Sequence, residues 1–361
     1  MSSHPHSASL ARAEAFAARL GLRIPILLAP MAGACPASLS IAVAEAGGMG
    51  ACGALLMQPG AIREWAAEFR AGSDGEFQMN LWIPGPAPVR DAASEARQRE
   101  FLAQWGPPVA AEMGDGVLPD FAAQCQALLE VSPRAISSIM GLYALEFVAQ
   151  MKARGILWFA TATTVADARA AEAAGADAVI AQGAEAGGHR GSFRAEDAEA
   201  EAVGLFALLP QICDAVAIPV IAAGGISDGR AVAAALLLGA SAAMVGTGFL
   251  RAPEAKIHPA WAERIARAQA HETCLTRAFS GRAGRAIRTK YVEAADAPDA
   301  PPAAPYPVQR GYTRAMRDEA GRRNDAERMQ MWAGQSAALV EARPAGEIAR
   351  EIWEKAVGSL G

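Results

Sequence analysis

Short apolar runs alternate with alanine-rich helical stretches through the first 250 or so residues, and this alternation restricts the fold more than any other feature. A strand-length run that is apolar throughout must be covered on both faces, and helices between successive runs supply that cover. Strands are expected near Pro25–Met31, Met49–Ala54, Phe77–Trp82, Ala135–Gly141, Ile156–Ala162, Ala178–Gly183, Pro219–Gly224 and Ala242–Phe249. Helices fall between them, for example over Pro36–Ala46, Val165–Ala174 and Gly229–Leu238. In Ala173-Ala174-Gly175-Ala176-Asp177 and Leu237-Leu238-Gly239-Ala240-Ser241 a glycine stands where a helix ends in the left-handed conformation. About eight such units favour a closed (β/α)8 TIM barrel, an α/β fold, over an open doubly wound sheet.

The rest of the chain is assigned around that barrel. Residues 1–20 form an N-terminal extension with a frayed start and a short helix, and 21–255 the barrel. Pro84–Gly116 is polar and proline-interrupted and reads as an insertion after the third strand. Beyond Leu250 the strand pattern stops. A Pro/Ala-rich linker, Ala297–Pro307, leads to amphipathic helices over Arg314–Ala337 and Pro344–Val357, so 256–361 reads as a helical cap on the barrel.

With 52% apolar and 20% charged residues a large core is expected and disorder is not. The net charge of −5 speaks against a nucleic-acid partner. A basic cluster, Arg282, Arg285, Arg288 and Lys290, reads as an ordinary solvated stretch. The five cysteines, Cys35, Cys52, Cys125, Cys213 and Cys274, show no CxxC, and no His pair has metal spacing. Reduced thiols in a cytoplasmic protein fit that pattern, and no metal is expected. Met1–Leu20 lacks a signal peptide's apolar centre, and the richest apolar stretch, Ala231–Leu250, is broken by Gly239 and Ser241. No membrane partner is expected.

In barrels of this class the site lies at the C-terminal ends of the strands, with phosphate often held after strands seven and eight. Ala222-Ala223-Gly224-Gly225-Ile226-Ser227-Asp228-Gly229 follows the seventh strand and opens a helix; its small residues leave N–H groups free to face an anion. Val245-Gly246-Thr247-Gly248 follows the eighth and adds a hydroxyl. Gly48-Met49-Gly50-Ala51-Cys52-Gly53 matches G-x-G-x-x-G, but it ends a helix and enters a strand, the reverse of a dinucleotide fingerprint.

Other strand ends complete a flavin-like set: Pro30-Met31-Ala32-Gly33 offers apolar and small groups to a flat ring, and Asn80 and Gln182 place amides in apolar stretches. Within Ala181–Gly191, four glycines in nine residues surround His189, which can exchange a proton near neutral pH, and Arg190, expected to face solvent or a carboxylate.

From Leu22 to near its end the chain resembles the nitronate monooxygenases, formerly 2-nitropropane dioxygenases, which are FMN-dependent barrels. The resemblance rests on Pro25–Ala32, Ala46–Gly50, Ala181–Gly191, Gly224–Arg230, Gly246-Thr247, Ser280-Gly281-Arg282 and Trp332-Ala333-Gly334-Gln335. It implies FMN contacts at Asn80, Gln182, Gly187, Gly224, Gly246 and Thr247, with Met31 and Ala32 beside the flavin ring and His189 as the active-site histidine; Pro30, Gly188, Gly225 and Val245, in the same loops, are expected to complete the cofactor site. It also implies one-electron oxidation of an alkyl nitronate, propionate 3-nitronate being the family candidate, with dioxygen and without nicotinamide, to a carbonyl compound and nitrite.

Two positions depart from the family pattern: Met244 stands where glutamine is usual, and Ala283-Gly284-Arg285-Ala286 where Pro-Ala-Arg-Gly is. The expected partners are a small-molecule nitronate and dioxygen; a homo-oligomer is compatible with the sequence. The alternatives are an FMN- and NAD(P)H-dependent enoyl-ACP reductase, which tends to carry an acidic residue at the Gln182 position, and a non-catalytic flavin-binding module. Tyr306 and the stretch Arg282–Arg288 are the candidates to close over a substrate.

Overall fold

The computed structural model describes residues 5–361; residues 1–4 of the N-terminal extension, its expected frayed start, lie outside the described residues. Eight parallel strands build the barrel: β1 Ile26–Leu28, β2 Gly50–Gly53, β3 Phe77–Trp82, β4 Ala135–Ile139, β5 Leu157–Ala162, β6 Ala178–Gln182 and, after a two-residue strand β7 (Gly188–His189) that belongs elsewhere, β8 Val220–Ala223 and β9 Ala242–Val245. Their order is β1-β9-β8-β6-β5-β4-β3-β2. A single bridge closes the seam between the two ends: Leu28 N–H donates to Met49 O at 2.9 Å and Met49 N–H to Ile26 O at 3.0 Å. The expected (β/α)8 barrel forms.

Two strands are shorter than their apolar runs. β1 has three residues, and β9 ends at Val245 because Gly246 leaves the extended region (φ −109°, ψ −81°) and Thr247–Phe249 coils into a 3₁₀ turn. Gly175 and Gly239 end their helices at φ +94° and +111°, as the repeated joint requires. Gly48 to Gly53 runs from the end of the helix Ala37–Glu45 into β2, confirming the reversed context.

Alternation along the strands sends Leu27, Phe159, Ile180, Ile221 and Met244 into the barrel. The helix Pro5–Leu20 closes the lower mouth with Phe16, Ala17 and Leu20, the ring of Phe16 lying 6.4 Å from that of Phe159. The C-terminal ends of the strands therefore form the open mouth.

The C-terminal region differs from the expected cap in three ways. First, the strand pattern does not stop at Leu250: β10 (Thr273–Thr276) and β11 (Gly284–Ile287) join β7 in an antiparallel sheet over the mouth, with Gly284 opposite His189. Thr-Cys-Leu-Thr and Gly-Arg-Ala-Ile lack a clean polar–apolar alternation, so neither reads as a strand alone. Second, the expected helix Arg314–Ala337 stops at Arg323, where Asn324 takes φ 55°; the following loop brings Trp332 and Gly334 to the mouth. Third, the helix Ala345–Leu360 lies in the helix ring against Gly229–Leu237 and Ala37–Glu45, burying Ile348, Ile352, Ala356 and Leu360 at i,i+4 spacing. It fills the place of the helix missing after β9.

The insertion joins this upper layer. Its helix Ala92–Leu102 packs through Leu102 against Phe279, Tyr291, Tyr312 and Met316. Buried Glu95 fixes the join, receiving Arg90 at 2.5 and 2.6 Å and the Tyr312 hydroxyl at 2.7 Å. Among the described residues no helix is long and apolar enough to cross a membrane.

Since Phe16 stops the lower mouth, Phe16→Ala should cost about 3 kcal/mol of unfolding free energy. Urea unfolding of the cofactor-free protein checks this; an unchanged midpoint would show that the helix merely rests on the barrel.

Candidate active site

One cavity opens at the C-terminal ends of the strands. Pro30, Met31, Ala32, Asn80, Gln182, Gly187, Gly188, His189, Gly224, Gly225, Gly246 and Thr247 all line it. Val245 does not: its side chain is fully buried in the core outside the barrel, and its carbonyl accepts from Ala29 N–H at 2.9 Å. Strand register explains the gathering. Gln182 of β6, Ala223 of β8 and Met244 of β9 are successive register partners, so their inward side chains share one layer. The sequence departure at position 244 thus places an apolar thioether, rather than an amide, on the cavity wall.

The glycine loops leave donors free. Gly224 and Gly225 take φ +106° and +71°, conformations that side chains resist. Among the described residues nothing accepts the N–H of Gly187, Gly224, Gly225 or Gly246. All four glycines are half-buried and line the cavity, so their N–H groups are available to an acceptor placed there. The start of the helix after β8 is already capped, Asp228 Oδ1 accepting from Ala231 N–H at 3.1 Å, so Gly224 and Gly225 offer their donors from the turn before it, while Gly187 and Gly246 offer theirs from the loops after β6 and β9. A strap closes the same wall: Gly334 N–H donates to Thr247 Oγ1 (2.9 Å), and the Ser227 and Ser336 hydroxyls are 2.7 Å apart.

His189 stands among aromatic rings, Trp82 at 4.6 Å and Trp332 at 4.8 Å between centroids, with its Nε2 2.8 Å from Ser280 Oγ. Loss of water drives its pKa from 6.5 down to about 3, and the charges of Arg282 and Arg310 push the same way. Its ring is half-buried by accessible surface, yet the enclosing rings leave little water to hydrate a cation. The imidazole is therefore neutral at pH 7.

Arg190 departs from the sequence expectation. It is 1% exposed and pairs with no carboxylate; Nη1 donates to Gly183 O at 2.7 Å and Gln182 O at 3.2 Å. A bare Gly-His-Arg-Gly string gives no clue to this, because the fold turns the residue inward behind the loop. Nor is the basic cluster wholly solvated. Arg288 and Lys290 are exposed, but Arg285 is buried in β11, where Nε donates to Ala184 O (2.8 Å) and Nη1 to Thr273 O (3.2 Å).

Tyr306 lines the cavity, and its buried hydroxyl has no partner. Arg310, Trp82 and Ser336 also line it and were not singled out from the sequence as site residues. Trp82 lies two residues past Asn80 on β3, so its inward position followed from strand alternation alone. Arg282 and Arg288 are not cavity-lining.

A family model described as nitronate monooxygenase matches residues 15–355. The chain belongs to the nitronate monooxygenase family. Members of that family are flavin-dependent oxidoreductases, so the protein is an enzyme of this type. It is 37% identical to the nitronate monooxygenase of Pseudomonas aeruginosa, over 95% of this chain and 99% of that one. To the nitronate monooxygenase of Paraburkholderia phytofirmans it is also 37% identical, over 92% of each. The solved nitroalkane oxidase of Streptomyces ansochromogenes superposes with a TM-score of 0.86 at 34% identity, covering 95% and 98% of the two chains. FabK from Thermotoga maritima gives 0.74 at 28% identity, covering 96% of each.

The depressed His189 pKa has a measurable consequence. Stability held above the unfolded value of 6.5 should be lost progressively as pH falls toward about 3, because the unfolded chain takes up a proton that the folded one refuses. In the NMR spectrum the His189 ring signals should stay flat from pH 5 to 8; a midpoint near 6.5 would contradict an enclosed neutral imidazole.

Proposed function

We propose that the cavity holds FMN and that the enzyme oxidises alkyl nitronates with dioxygen to a carbonyl compound and nitrite. The observation carrying this reading is the group of unpartnered N–H donors on Gly187, Gly224, Gly225 and Gly246, which fits a phosphate beside a pocket that combines small, apolar and aromatic groups with a few amides and one arginine. When bound, FMN supplies the electron acceptor that no side chain here can provide.

The chain's own residues do the rest. Asn80 and Gln182 offer amides to the polar edge of a flavin, and Pro30, Met31 and Ala32 offer apolar contact. Among the described residues no aspartate or glutamate lines the cavity, while Arg310 does, and the Tyr306 hydroxyl in the same wall has no partner among them. Such a lining favours an anionic substrate. A nitronate is already an anion and needs no base; a second anionic group, the carboxylate of propionate 3-nitronate, gives Arg310 a partner. Neutral His189 is a weak base and acts as a hydrogen-bonding group on the substrate, so nitronates are favoured over neutral nitroalkanes. The thiols of Cys35, Cys52 and Cys125 are buried and unpaired, which fits a cytoplasmic location.

The test is oxygen uptake and nitrite release from propionate 3-nitronate in air with no nicotinamide. Turnover is expected with the flavin-loaded enzyme. Arg310→Met should raise KM for propionate 3-nitronate about tenfold and that for ethylnitronate, which lacks the carboxylate, by less than about threefold. Bound flavin that bleaches with NAD(P)H but gives no nitrite would establish the reductase alternative instead.

A further inference from the structure

Arg190 combines three properties that rarely coincide. Its guanidinium is almost fully buried, its Nε and Nη2 have no hydrogen-bond partner, and the acidic groups facing it are committed elsewhere. Glu185 accepts from Leu205 N–H at 2.9 Å, and Asp167 from the Thr163 hydroxyl at 3.1 Å. Burial, then the charge of Arg285, lower its pKa to about 10, so it keeps its proton at pH 7. A buried cation without a direct ion pair is costly; the carbonyls of Gln182 and Gly183 and the more distant charges of Glu185 and Asp167 offset part of that cost.

The same guanidinium controls a cavity side chain. Gln182 Oε1 accepts from Gly191 N–H (2.8 Å) and from Arg190 Nη1 (3.3 Å), while its Nε2 donates to His189 O (3.1 Å). With both donors of the chain on Oε1, the amide cannot flip, and the remaining hydrogen of Nε2 is what it can present to a ligand. Arg190 therefore sits one hydrogen bond behind the cavity wall.

We propose that Arg190 is a positioning residue that locks Gln182 as a hydrogen-bond donor to the bound flavin and sets a buried positive charge with no direct ion pair behind it, making the flavin easier to reduce. The proposal rests on the FMN reading above. Two electrons and one proton leave the reduced ring system with one negative charge, which a fixed cation and an N–H donor stabilise relative to the oxidised form.

The measurement is the midpoint potential of the FMN-loaded protein, titrated with dithionite against a reference dye. Arg190→Met should shift the two-electron equilibrium at least tenfold toward the oxidised form, lowering the potential by about 30 mV or more. Arg190→Lys, which keeps the charge, should stay within about threefold of the parent equilibrium. Should Arg190→Met fail to fold, Arg190→Gln retains a donor toward the carbonyls, lacks the charge, and must show the same shift. A neutral variant with the parent potential overturns the proposal while leaving the cofactor reading intact. A parent protein that neither carries nor takes up FMN overturns both.

Discussion

Four consecutive carbonyls between β6 and β7, from Gln182 to Glu185, are each held by a donor from behind the cavity wall. Arg190 takes those of Gln182 and Gly183, Arg285 that of Ala184, and Gln335 N–H that of Glu185 at 3.0 Å. These donors come from three separate parts of the chain: the loop itself, the upper sheet and the C-terminal strap. Because the carbonyls are occupied outside, the loop presents glycine N–H groups and His189 to the cavity. The upper sheet does more than cover the mouth, since its strand β11 delivers Arg285 and pairs with His189.

The arrangement is energetically uneven. Leucine, isoleucine and phenylalanine fill the barrel and the ring at ordinary cost, and each fully buried side chain of this kind contributes about 1.5–3 kcal/mol. Against this the site keeps free N–H groups, an unpartnered tyrosine hydroxyl and two buried arginines without ion pairs. Unsatisfied polar groups persist in a native fold where something outside the chain completes them. The glycine donors line the cavity, and the two arginines stand behind its wall, donating to loop carbonyls.

The barrel was legible from the sequence because its strands are apolar on both faces and its helices end on glycine. Most of the site was legible for a related reason: the C-terminal ends of the barrel strands open on one mouth, which gathers Asn80 of β3 and Gln182 of β6 without any long-range knowledge. What stayed hidden depends on partners remote in the chain. Arg190 looks like a loop residue until the fold closes around it. The strands β10 and β11 gain their identity from pairing with each other and, through β11, with β7, not from their own composition. Val245 is expected from the sequence among the cofactor residues, but strand parity turns its side chain outward, away from the cavity. The C-terminal helix carries a clear apolar stripe, yet nothing in that stripe says that it substitutes for a barrel helix after a detour of nearly a hundred residues.

The central claim is that the free glycine donors exist to hold a phosphate. Its most direct measurement compares the binding of FMN and riboflavin, which differ by that group alone, to the cofactor-free protein by titration calorimetry. Charge-assisted hydrogen bonds contribute about 1.5–3 kcal/mol each, so two or more of them predict at least a hundredfold preference for FMN. Equal affinity for the two compounds would contradict the account.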